Sequence, residues 1–191
     1  MRSLTLILAV YLISSGAMPV LGQTAGPWTS TQVFHTNQAD LISDHRADLE
    51  ELARRLGAVS PAAPGQPDLG LLSDKIDAML TEISRVLQKQ PLKPVRLQIR
   101  LLRDGLQVQQ QQLALRSPPP LPPGPSAPQP LASYYEPRLR TIFLSLADAR
   151  LGVLAHEMTH FILCESSPVP PNPEYQENLA RYMEDRFNAG K

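Results

Sequence analysis

The residues with the most chemical content are His156-Glu157-Met158-Thr159-His160, an H-E-x-x-H pattern. Four residues make about one helical turn, so both imidazoles leave the same face of a helix. Two neutral ring nitrogens at that spacing can hold one tetrahedral Zn²⁺. Glu157 sits roughly 100° round the helix from His156. It flanks the metal without occupying it, where it can take a proton from a metal-bound water. At this composition a chance match to the pattern has a probability of roughly 0.4%, so the surrounding residues have to carry the rest of the inference.

Those residues are Val153, Leu154, Ala155, Met158, Phe161, Ile162 and Leu163, which make the segment apolar nearly all round. Such a helix is buried. Two histidines and a glutamate inside it need partners, and a metal supplies one. The alternative is a pair of hydrogen-bonded core histidines with an ion-paired Glu157. The helix is expected from Ser145 to about Cys164, opened by Ser145 and Asp148 as a capping box. Before it, Arg140 to Leu146 alternates Ile142, Leu144 and Leu146 with Thr141, Phe143 and Ser145, the period of a strand.

A catalytic zinc site needs a third protein ligand and an open water position. No histidine follows His160, which leaves Cys164, Glu165, Glu174, Glu177 and Glu184. Cys164, one turn beyond His160, reads as a small buried hydrophobe before it reads as a ligand. Asn172-Pro173 starts a last helix, an N-cap followed by proline in the first turn, running from Glu174 to about Phe187. Tyr175, Leu179, Tyr182, Met183 and Phe187 are its expected buried stripe. Glu174 lies opposite. Glu177 borders the stripe beside the small Ala180, which lets a carboxylate approach a neighbouring helix, and it is the expected third ligand.

The stretches Tyr134-Tyr135-Glu136-Pro137, Thr141 to Leu146, Gly152 to His160, and Glu177-Asn178-Leu179-Ala180-Arg181-Tyr182 together resemble the gluzincin class of zinc metallopeptidases. They are similar to its small bacterial peptidase-MA-like members. In that group a strand precedes the H-E-x-x-H helix, and an E-x-L-A-x-Y-like helix supplies a glutamate ligand. The resemblance implies that His156, His160 and Glu177 bind zinc and that Glu157 is the general base and acid. It covers about 55 residues. One departure stands out: thermolysin-like enzymes have an acid four residues after the ligand glutamate, and here that residue is Arg181. In such enzymes a strand edge near the metal pairs with an extended peptide, a role expected here of residues 140–146. Tyr134 or Tyr135 is then either an oxyanion donor or aromatic packing.

The remaining elements must position this site. Asn37 and Asp40 form a capping-box-like start for a helix carrying Leu41, Ile42, Leu49, Leu52 and Leu56, ended by Gly57. Residues 58–70 read as a loop. A second helix is expected from Ser73 to about Lys89, with Ile76, Met79, Leu80, Ile83, Val86 and Leu87 as its stripe. Val95 to Leu101 alternates without a fault and reads as a strand. Asp104 caps a third helix to about Arg116. The proline-rich segment at 117–130 is expected to be extended and solvated. The strand at 95–101 needs a sheet partner, and 140–146 is the best one. The proline run is therefore a surface loop within one domain, not a boundary.

Composition bounds the rest. The 191 residues carry 18 basic and 18 acidic side chains, a net charge of zero that argues against nucleic acid as the main partner. One cysteine excludes a disulfide framework within the chain and a four-cysteine zinc site. Met1-Arg2-Ser3, the apolar run Leu4 to Ile13 and the small residues after it have the layout of a signal peptide. We expect a signal peptide at 1–22, a linker at 23–35 and a single zincin-like domain at 36–191. Cleavage after Ala17 or Gly22 leaves no stable membrane anchor, and the location is secreted or periplasmic in a bacterium. Residues 35–133 contain no Phe, Trp or Tyr, against seven of the chain's ten in 134–187. The sequence reads as an exported α+β zinc metallopeptidase acting on a peptide or protein substrate. The rival is a non-catalytic exported binding or adaptor protein, its aromatic-free helical half a partner surface and its zinc site structural or vestigial.

Overall fold

Stretches that turn successive side chains to opposite faces become the central strands. The computed structural model describes residues 31–116 and 129–190. The expected signal peptide, residues 23–30 of the expected linker and most of the loop at 117–130 lie outside them. The elements in chain order are β1 (Gln32–His35), β2 (Ala39–Ser43), α1 (Arg46–Arg55), α2 (Leu69–Leu87), β3 (Leu97–Leu102), α3 (Gly105–Leu115), β4 (Ser133–Glu136), β5 (Thr141–Ser145), α4 (Leu151–Glu165) and α5 (Pro173–Ala189). The fold class is α+β, as expected. Among the described residues no helix is long and apolar enough to cross a membrane.

The five strands form one mixed sheet in the order β1-β2-β3-β5-β4. β2, β3 and β5 run parallel, while β1 and β4 are antiparallel at the two edges. The expected pairing of the 95–101 and 140–146 segments is present, with Ile99 opposite Ile142 and Leu101 opposite Leu144. Leu41, Ile99 and Ile142 point from one face into the main core. There they meet Leu49 and Leu52 of α1, Ile76, Leu80 and Ile83 of α2, and Leu154, Met158 and Phe161 of α4. α3 covers the opposite face at the β3, β5 and β4 end. Buried on both faces, β5 shows no polar–apolar alternation of exposure: all five residues are buried.

Three expectations are corrected. The helix expected from Asn37 to Gly57 is a strand followed by a shorter helix. Ala39, Leu41 and Ser43 point inward at period two, and helical spacing begins only with Leu49, Leu52 and Ala53. The adjacent pair Leu41-Ile42 fits either period, so spacing alone does not separate strand from helix here. Asn37 is not an N-cap. It lies in a turn fixed from α2, where the Asp77 carboxylate accepts from the Thr36 hydroxyl and the backbone N–H groups of Asn37 and Gln38 at 2.7–2.9 Å. Residues 32–35, expected as the end of a linker, are β1 and join the same sheet. Ser145 does not cap α4. Its hydroxyl donates to Asp148 at 2.6 Å within a turn, and α4 begins at Leu151.

Smaller boundaries also move. α2 starts at Leu69 because Asp68 accepts from the Gly70 and Leu71 N–H groups. Asp104 caps α3 and Asn172 caps α5, as expected.

Candidate metal centre

α4 lies between α2, β4 and α5, and it buries Leu154, Ala155, Met158, Phe161, Ile162 and Leu163. That all-round burial leaves His156 and His160 one outlet, toward α5. α5 comes close because the residues between the helices are small. Ala180 is fully buried, and Gly152 faces the Asn188 side chain where a Cβ would collide with it. The stripe expected on α5 is narrower than the sequence suggests. Ala180 and Met183 are buried, Leu179 and Phe187 are half-buried, and Tyr175 and Tyr182 are 52% exposed.

Among the described residues, the group with metal-ligand geometry is His156, His160 and Glu177, one donor atom from each lying within 4.8 Å of the others. The two Nε2 atoms are 3.3 Å apart, and Glu177 Oε2 is 3.7 Å from one and 3.8 Å from the other. Two Zn–N bonds of about 2.05 Å at a tetrahedral angle separate their nitrogens by about 3.3 Å. The histidine pair therefore matches the ion without rearrangement, and the carboxylate needs a shift of a few tenths of an ångström. Glu165 and Glu174 stand outside the group. The first pairs with Arg140 at 3.1 Å, and the second lies exposed in the first turn of α5. Cys164 is also outside it, half-buried with its sulfur 3.7 Å from Gln176 Oε1. Burial pushes its thiol pKa up, away from the thiolate that metal binding requires.

Each imidazole is oriented from behind by α5. His156 Nδ1 lies 3.1 Å from Glu184 Oε2, and His160 Nδ1 lies 3.4 Å from Gln176 Oε1. Gln176 uses its NH₂ group on the Pro171 carbonyl at 2.7 Å, which turns its oxygen to the ring. Both partners accept, so both Nδ1 atoms carry the proton and both Nε2 lone pairs face the shared point. Burial and the neighbouring His156 lower the pKa of His160, favouring the neutral ring a metal needs. Glu177 gives its second oxygen to Arg181 at 3.0 Å. Arg181 thus fills the position of the thermolysin-like acid, while the carboxylate behind His156 comes from Glu184, seven residues after Glu177.

Glu157 is 6% exposed and is not in the ligand group. Its Oε1 accepts from the Ser133 hydroxyl at 2.8 Å. Burial pushes its pKa up, while Ser133, His156 and the Tyr135 backbone N–H favour the ionised form. An open cavity of about 280 Å³ has Glu157, His156, His160, Glu177, Tyr135 and Gln176 in its lining. A larger hollow of about 690 Å³, over Gln38, Ser84 and residues 90–95, is lined by neither histidine nor acid.

Strand placement changes the expectation for the sheet edge. β5 is internal, flanked by β3 and β4, so among the described residues the free edge beside the cavity belongs to β4. The tyrosines of β4 divide between the faces. Tyr134 stacks on Phe143 with ring centres 5.0 Å apart, on the face away from α4. Tyr135 meets Phe161 edge-on at 6.0 Å. Burial raises both phenol pKa values, that of Tyr134 to about 12, so both remain donors, and neither hydroxyl has a hydrogen-bond partner among the described residues. Sequence reasoning missed Ser133 and Gln176. Neither belongs to a motif, and Ser133 sits on a four-residue strand that was not recognised.

Scanned against protein-family models, curated proteins and solved structures, the chain matches none.

Proposed function

We propose that the protein is a zinc-dependent metallopeptidase, with His156, His160 and Glu177 as ligands and Glu157 as general base. The observation that carries this reading is the convergence of two Nε2 atoms at tetrahedral spacing with one carboxylate oxygen within 3.8 Å of both, and with both Nδ1 atoms engaged behind. A mixed sheet with an antiparallel edge strand beside the H-E-x-x-H helix is compatible with a zincin-like, gluzincin-type arrangement. Three protein ligands would leave a bound zinc one position for water, and all three line the open cavity.

Zinc, when bound, acidifies a coordinated water and polarises the substrate carbonyl. The residues of this chain do the rest. Glu157 takes the proton of the attacking water and returns it to the leaving amine. Burial raises its basicity above that of a solvated carboxylate, while the Ser133 bond keeps the charged form accessible. Glu184 and Gln176 hold the imidazoles in the ligating tautomer, and Arg181 engages the Glu177 oxygen that does not face the histidine pair. The free edge of β4 offers backbone groups to an extended peptide. Export through the amino-terminal segment belongs to the same proposal.

The rival adaptor reading would be favoured by a closed four-ligand site, and the exclusion of Cys164 from the ligand group supports the open one. Metal removal tests the function. Chelation should abolish cleavage of a mixed peptide library, and stoichiometric Zn²⁺ should restore it. Cleavage that survives complete chelation would overturn the reading.

A further inference from the structure

The free edge of β4 and the carboxylate of Glu157 meet in a way the proposed mechanism does not require. The Ser145 N–H donates to the Ala132 carbonyl at 2.8 Å, and Tyr134 and Glu136 stand opposite Phe143 and Thr141. In an antiparallel ladder, paired and unpaired positions alternate. Tyr134 and Glu136 therefore spend their backbone groups on β5, whereas those of Ser133 and Tyr135 point to the free edge. The side chains of Ser133 and Tyr135 share the sheet face turned to α4, as the pairing of Tyr135 with the core residue Ile142 requires. Glu157 lies against this strand, with Oε1 2.8 Å from the Ser133 hydroxyl and the Tyr135 backbone N–H close enough to favour its charge.

We propose that Ser133 is a positioning residue for Glu157: its hydroxyl fixes one carboxylate oxygen against the edge of β4, leaving the other to face the histidine pair. The role rests on the peptidase reading, but the contact itself does not. A carboxylate with three rotatable bonds and one anchored oxygen has few orientations left, and a base must be aligned to within a fraction of an ångström. The anchor also ties the base to the strand that would receive substrate, so a displacement of β4 displaces Glu157. The position of Ser133 is itself secured. Its lead-in residue Leu131 donates to the Gly105 carbonyl at 3.1 Å, and the backbone of Leu131 lies so near Gly105 that a Cβ there would meet its carbonyl oxygen at 2.9 Å.

Two measurements on the full chain test this. The first compares the melting temperatures of wild type, Ser133→Ala, Glu157→Gln and the double variant, all metal-free. A charge-assisted bond is about twice as strong as a neutral one, so Ser133→Ala should lower Tm about twice as much with Glu157 present as with Gln. Equal losses in the two backgrounds would overturn the contact, whatever the protein catalyses. The second follows zinc content and turnover of the most readily cleaved member of a quenched fluorescent peptide library. Ser133→Ala should keep one zinc and lose ~10- to 100-fold in kcat with KM little changed, and Ser133→Thr should restore most of the loss. Unchanged kcat in Ser133→Ala, with an active wild type, would overturn the positioning role alone. A zinc-loaded wild type that cleaves nothing would overturn the peptidase reading and the positioning role with it, while the Tm comparison still decides the contact.

Discussion

The two helices that carry the candidate ligands are built in opposite ways. α4 is apolar nearly all round and buries nine of its fifteen residues, whereas α5 buries only Ala180 and Met183 of seventeen. Close packing fixes His156 and His160 before any ion arrives. Glu177, with 40% of its side chain exposed and an Arg181 bond to keep, is placed by local hydrogen bonding instead. α4 thus provides a preformed pair and α5 an adjustable clamp. The clamp also reaches behind the pair, because Gln176 and Glu184 on the same helix engage both Nδ1 atoms.

The sharpest way to break this contrast is to remove ligands from each helix in turn. His160→Ala should weaken Zn²⁺ binding on the order of 10³-fold and Glu177→Ala on the order of 10²-fold, as measured by competition with a chromophoric chelator. Undiminished stoichiometric zinc in Glu177→Ala would remove Glu177 from the ligand set. The next effect is smaller. Glu184→Gln keeps an acceptor for His156 but loses its charge, and affinity should fall about tenfold. An unchanged value would mean that the ion, not α5, orients the ring.

The smallest effect concerns stability and is read without metal. Glu157 has its pKa raised by burial, above the usual value of 4.5. The folded state therefore holds that proton more tightly than the unfolded chain. The ionised form is penalised as pH rises from about 4.5 through the folded value, and the penalty is full above it. Glu157→Gln should melt with wild type near pH 4 and above it at neutral pH. No gap at neutral pH would contradict the burial of the carboxylate.

The same contrast explains what could be read from the sequence. α4 was legible, apart from its start, because a segment apolar nearly all round and the H-E-x-x-H spacing both fit a buried helix. On α5, the small Ala180 marks the close approach that brings Glu177 near the histidine pair, but Tyr175 and Tyr182 fit the stripe by spacing and lie outside it. A helix that packs along a narrow seam does not need every apolar residue at helical spacing. β2 was misread because Leu41 and Ile42 are adjacent and fit both periods, and only the long-range partners Leu97 and Ile99 decide between them. The orienting roles of Gln176 and Glu184 and the Ser133 contact were invisible for a related reason: each joins residues 16 to 28 positions apart, and no spacing rule links them.

The central claim is that Glu157 moves the proton at a metal site it does not help to build. Zinc content and peptide cleavage of wild type and Glu157→Gln, measured side by side, test it most directly. The account predicts one Zn²⁺ in both proteins, with cleavage in wild type and none above background in the variant. Equal cleavage by the two, or loss of zinc from Glu157→Gln, would contradict it.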